Sequence, residues 1–171
     1  MAELTPKERL SPSLLDRLTD DEPERTTEPR ESRVLSPVRL RECVRRDLTW
    51  LFNTTHMQSL QNLDEVPLVA RSVLNFGIPD LAGRTASSLD TGQLENMIRQ
   101  AILNFEPRLD RKSVRVRPVL DERQMNHHAL SFDVEAELWA QPLPLRLFLR
   151  TAVDLETGNV EVTDQSGRGS V

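Results

Sequence analysis

Three groups among these 171 residues carry side chains that could do chemistry: Glu106-Pro107-Arg108, the neighbours His127-His128, and Asp47. A carboxylate such as Glu106 could serve as a glycosidase acid, but that reaction needs a second carboxylate across a cleft that binds sugar. Asp110 is the nearest candidate and lies on the same short connection. Aromatic residues make up 4% of the sequence and tyrosine is absent, so platforms for sugars or bases are scarce. Adjacent histidines lack the i, i+4 spacing that aims two ligands at one metal, and no cysteine pair assists them. His127-His128 are therefore expected in a solvated turn between two strands. No phosphate loop, dinucleotide glycine pattern or nucleophile elbow occurs. No catalytic residue, cofactor or metal is expected.

The triplet has a physical logic of its own. Pro107 has no N–H and pushes Glu106 out of helical geometry, so a helix arriving from Ala101 stops near Phe105. Arg108 then sits where the carbonyl end of the helix dipole favours a cation. Glu106 sits where an anion is disfavoured by roughly 0.3–1 kcal/mol. An acid held against the dipole on a stiff corner calls for a cation, either from the same polypeptide or from another subunit.

The elements that must position these groups follow from composition and periodicity. Net charge is −5 and the pI about 5.3, which argues against a general nucleic-acid binder. Basic groups are nearly all arginine; Lys7 and Lys112 are the exceptions. Arginine suits planar, bidentate pairing with carboxylates, although codon bias gives the same excess. The lone Cys43 excludes an internal disulfide. The opening "MAELTPKERL" has no apolar h-region and no run approaches a membrane span, so a cytoplasmic location without direct membrane insertion is expected.

Residues 1–35 have the composition of a flexible tail, with nine acids, six bases and prolines at 6, 12, 23 and 29. Within it, "SPSLLDRLTD" predicts a short docking helix near 12–19, capped by Ser11 and displaying Leu14, Leu15 and Leu18. Ser36-Pro37 opens a longer helix with Leu40, Val44, Leu48 and Leu51 along one face. Asp47 falls inside that apolar stripe, so it must be paired or protonated, and a structural ion pair with an arginine is expected. Pro67 to Phe76 predicts a second helix, capped by Asp64 or Glu65 and ended by Gly77. Asp90 with Gln93, and Leu89 with Leu94, mark the start of a third, whose stripe runs Leu94, Met97, Ile98, Ala101, Ile102, Phe105.

Beyond Arg108 the period switches to two. Val114–Val116, Leu130–Leu138, Leu145–Val153 and Val160–Thr163 predict an antiparallel sheet with one apolar face. On its other face an acidic strand (133, 135, 137) should lie beside arginine strands (115, 117 and 146, 150). The fold class is α+β, with N-terminal helices packed on a C-terminal antiparallel sheet. One domain is expected over 36–165, with 166–171 a loose end.

The blocks "RECVRRDLTWLFNT", "RSVLNFGIPDLAG", "IRQAILNFEPRL" and "SLLDRLTD" resemble the TssE family, the baseplate subunits of type VI secretion, which belong with the lysozyme-like wedge proteins of phage tails. That resemblance implies a structural, non-enzymatic role despite the lysozyme-like label. It implies partnership with the baseplate subunits TssF, TssG and TssK, and help in starting the contractile sheath of TssB and TssC. It places the protein at the inner face of the inner membrane through the secretion complex. The family's motif falls on Glu106, Pro107 and Arg108 as an assembly contact, so Glu106→Ala or Arg108→Ala is expected to leave the domain folded while stopping sheath assembly. A sheet edge is implied as the place where sheath strands add. The competing classes are a regulatory binder of the same fold and a peptidoglycan hydrolase.

Overall fold

The structure is a computed structural model that describes residues 13–19, 23–24, 36–85, 88–119, 129–139 and 144–165. His127 and His128, most of the segment 1–35, and the end at 166–171 lie outside the described residues.

Helix α1 covers Leu14–Leu18, α2 Pro37–Phe52, α3 Pro67–Ala70 and α4 Thr91–Phe105. Strands β1 Arg115–Val119, β2 Ala129–Leu138, β3 Leu145–Asp154 and β4 Val160–Asp164 form an antiparallel meander in sequence order. The fold is α+β. Alternation along β2 and β3 buries Leu130, Phe132, Val134, Ala136 and Leu138 opposite Leu147, Leu149, Thr151 and Val153. Leu40, Val44, Leu48 and Leu51 of α2, with Leu94, Ile98, Ala101 and Ile102 of α4, close this apolar face into one core.

The outer face is a charge ladder. Register sets Arg115 and Arg117 against Glu135 and Asp133, and Asp133 and Glu137 against Arg150 and Arg146. Arg150 grips Asp133 through two parallel bonds of 2.8 and 3.0 Å. Alternate residues of one β period thus serve both the core and this ladder.

Two helical expectations are corrected. No helix spans 67–76: α3 is a single turn that no side chain caps, followed by a 3-10 turn at Val73–Asn75. Ser72 breaks the run by donating its hydroxyl to the Val69 carbonyl and accepting the Leu74 N–H. Leu68 and Val73 within this span are 85% and 80% exposed, so little apolar burial supports a helix there. In the short N-terminal helix the cap is Ser13, not Ser11. Ser13 and Asp16 exchange bonds in a capping box.

The α4 stripe is narrower than its sequence spacing implies. Leu94, Ile98, Ala101 and Ile102 are buried, whereas Met97 remains 43% exposed. Asp90 caps the helix by accepting the Gly92 and Gln93 N–H groups.

Candidate functional site

Helix α4 ends at Phe105, and Glu106 is its C-cap, donating its N–H to the Ile102 carbonyl. Pro107 turns the backbone, and the next residues are stitched to the end of β2. Trp139 donates its N–H to the Arg108 carbonyl, and Asp110 donates to the Glu137 carbonyl. The corner is therefore fixed on both sides before any side group is considered.

That turn folds Arg108 back over Glu106. The Arg108 backbone N–H donates to Glu106 Oε1 at 3.0 Å, its Nε donates to the same oxygen at 2.8 Å, and its Nη2 donates to Oε2 at 2.5 Å. The cation that Glu106 requires stands two residues away in the same polypeptide. Glu106 is only 4% exposed, so the pairing is what permits its burial.

Asp47 reaches the corner from α2. Arg108 Nη2 also donates to Asp47 Oδ2, and Arg46 Nε donates to Asp47 Oδ1 at 2.9 Å. Arg46 Nη2 lies 2.8 Å from Asp16 Oδ1 and 2.8 Å from Asp47 Oδ1, off its N–H directions, so these two contacts are Coulombic rather than aligned hydrogen bonds. The Arg46 guanidinium stacks 5.1 Å over Trp50. Glu106, Arg108, Asp47, Arg46 and Asp16 thus form one alternating line of charge joining α4, α2 and α1.

Burial opposes the charge on Arg108, but bonds to Glu106 and then Asp47 outweigh it and hold the guanidinium above its usual range. Arg46 is raised in the same way by Asp47 and Asp16. The Cys43 thiol is pushed up by burial and by its bond to the Asp16 carboxylate. For Asp16 itself, burial works against ionisation, yet contacts with Ser13, Arg46 and Cys43 prevail and bring it down to about 2.

Asp16 therefore ties the docking of α1 to pH. Its folded value lies below the ordinary 3.8, so its contribution is complete above that value and is lost as pH falls toward 2. The difference is on the order of 2 kcal/mol. Trp50 fluorescence in Trp139→Phe protein is expected to change between pH 4 and pH 2, as α1 leaves Arg46. The same transition in an Asp16→Asn background would refute this coupling.

The leucines of α1 do not face the domain. Leu14 is 71% exposed and Leu18 73%, with Leu15 also exposed, so polar pairing holds this helix while its apolar side looks outward. The sequence pattern brought out Glu106, Arg108, Asp47 and the leucines separately. It missed Arg46 and Asp16, the links between them, because neither departs from ordinary surface composition. Their signal was the register of Arg46 beside an Asp already known to need a cation.

Chemically the joint is satisfied at Glu106 but not throughout, since the buried Arg108 Nη1 has no hydrogen-bond partner among the described residues. Both oxygens of Glu106 are engaged, and among the described residues no group of three or more His, Cys, Asp or Glu could hold a metal. Within the α+β fold this joint ties the α4 exit to α2 and, through Arg46, to α1. A family model described as baseplate wedge protein gp25 matches residues 38–143, well over half of the sequence, and the chain belongs to that family. The family includes the TssE subunits of type VI secretion. Neither the curated proteins nor the solved structures contain a significant match.

Proposed function

We propose that this protein is the TssE-type baseplate subunit of a type VI secretion system. It joins a wedge with TssF, TssG and TssK and helps start polymerisation of the TssB–TssC sheath, without enzymatic activity. The observation that carries this is the family match over residues 38–143, which runs from α2 through β2 and includes the Glu106-Pro107-Arg108 corner. Its place is the cytoplasm, at the inner face of the inner membrane, held there by the complex. Among the described residues no helix is long and apolar enough to cross a membrane.

In this proposal the joint acts by position. It fixes the α4 exit and α2, and through Arg46 it presents Leu14, Leu15 and Leu18 to a wedge partner. On the sheet, Asn53 exchanges two bonds with Val160 (2.8 and 2.9 Å) and Arg45 donates to the Val162 carbonyl. These contacts occupy backbone groups that a strand added at β4 would need. The proposal therefore assigns incoming sheath strands to the β1 edge.

Pull-down of the full-length protein from a native lysate is expected to recover the wedge subunits and sheath proteins together. A Leu14→Ser, Leu18→Ser variant is expected to weaken wedge binding by at least about a hundredfold, since each leucine buried at the contact is worth roughly 1.5–3 kcal/mol. Recovery of a lone regulator would instead favour a binding protein of the same fold. Lysis of cell walls by the purified protein would favour a hydrolase.

A further inference from the structure

A groove of about 220 Å³ lies between α4 and the segment carrying His56 and Gln58. Its lining is unusual for this protein. Charged residues make up 29% of the sequence, yet none of the twelve lining residues is Asp, Glu, Lys or Arg. Five of them are Asn or Gln.

Three of those amides belong to α4 at i, i+4 and i+8: Asn96, Gln100 and Asn104. They stand on one helical face about 6 Å apart along the axis, four residues at 1.5 Å each. An extended peptide presents the same backbone groups every second residue, about 6.6 Å apart. An Asn or Gln amide offers both a donor and an acceptor, so it can bond a backbone carbonyl and a backbone N–H together. Among the described residues the side chains of Gln100 and Asn104 make no hydrogen bond, and Asn96 uses only its Nδ2, donating to the Gly92 carbonyl.

The opposite wall is held in place by Asn75. Its Nδ2 donates to the Ala70 carbonyl and its Oδ1 accepts the Gln58 N–H, so both ends of this buried amide help shape the groove. Ala101 and Phe105 supply an apolar floor beneath the amide row. His56 accepts the Ser59 N–H at Nδ1, which places its ring proton on Nε2 as a further donor.

We propose that this groove binds an extended, uncharged peptide segment of a partner protein, with Asn96, Gln100 and Asn104 gripping its backbone. The uncharged lining offers no ion-pair partner for an acidic or basic side group, which favours an uncharged segment. The match between helical and extended spacing selects peptide backbone over a compact ligand. The proposal is independent of the baseplate assignment.

Random octapeptides displayed on phage and selected on the full-length protein supply the probe. Selected peptides are expected to be uncharged and to lose about tenfold in affinity on Gln100→Ala or Asn104→Ala. Both side chains are exposed, so the variants should melt with the wild-type protein. N-methylation of alternate backbone nitrogens should abolish binding, whereas exchanging Ala, Ser and Thr within the peptide should change it by less than about threefold. Charged consensus peptides, binding indifferent to both variants, tolerance of N-methylation, or no enrichment would each overturn the proposal. So would a shift of the Gln100 and Asn104 amide NH₂ resonances when residues 1–12 are removed, which would put the protein's own tail in the groove.

Discussion

Arg108→Ala is expected to destabilise the domain by about 3–5 kcal/mol, lowering its melting temperature by about 10 °C. The size follows from what the variant leaves behind. Glu106 is buried, and Arg108 contributes both its guanidinium charge and two of its three bonds to that carboxylate. Asp47 loses one of its two arginines at the same time. A surface ion pair of the same geometry would contribute at most about 1 kcal/mol, so burial decides the magnitude.

A double-mutant cycle isolates the interaction. In a Glu106→Gln background, Arg108→Ala should cost at least about 2 kcal/mol less than it does alone, since no buried charge is stranded. Arg108→Lys should recover only part of the loss, because an ammonium cannot bond both oxygens in parallel. Urea denaturation of the four proteins measures the cycle. A cost below about 1 kcal/mol for Arg108→Ala would show that the corner is held by its backbone alone. This expectation replaces the one drawn from sequence, in which the variant stays fully folded. The revision rests on Glu106 being buried against a partner within the same polypeptide.

How far the sequence foretold this arrangement differs from element to element. Helices α2 and α4 and all four strands were legible, because each has a cap or a sustained period and each buries most of the face its period defines, Met97 of α4 being an exception. Asp47 was legible as a residue needing a cation, since a carboxylate in an apolar stripe has few alternatives. Its partner was not, because Arg108 lies 61 residues away and that contact exists only after α2 packs beside the α4 exit.

The 67–76 segment misled for a local reason. Its end signals, an acid before Pro67 and Gly77 after Phe76, suggest a helix, but Ser72 and Asn75 bond backbone groups that a continuous helix would need. Competition of this kind depends on the direction in which side groups point, which periodicity does not carry. The α1 leucines left a different question open, whether the helix docks on its own domain or on a partner. Their pattern correctly marks an apolar face, but pattern alone cannot distinguish a face turned inward from one turned outward.

Gly77→Ala is expected to be as damaging as Arg108→Ala, at about 3–5 kcal/mol, although it touches no charge. Gly77 has φ +128°, a region that L residues with a Cβ rarely enter, and strain there costs about 1–3 kcal/mol. A methyl group would also stand 2.2 Å from the Thr54 carbonyl oxygen and 2.9 Å from the His56 nitrogen. Those atoms belong to the parallel bridge in which Ile78 donates to Thr54 and His56 donates to Ile78. Relieving the clash means parting that bridge, at about 1 kcal/mol for each bond, and drawing buried Ile78 out of the core. Gly83 is the internal control. It too has positive φ, at +74°, but an added Cβ meets nothing within 4 Å. Gly83→Ala should therefore cost only the left-handed penalty, about 1–2 kcal/mol. Equal losses for the two variants in urea denaturation would mean that backbone conformation alone matters at both sites. A gap of at least about 2 kcal/mol would assign the difference to the close approach of residue 77 to Thr54.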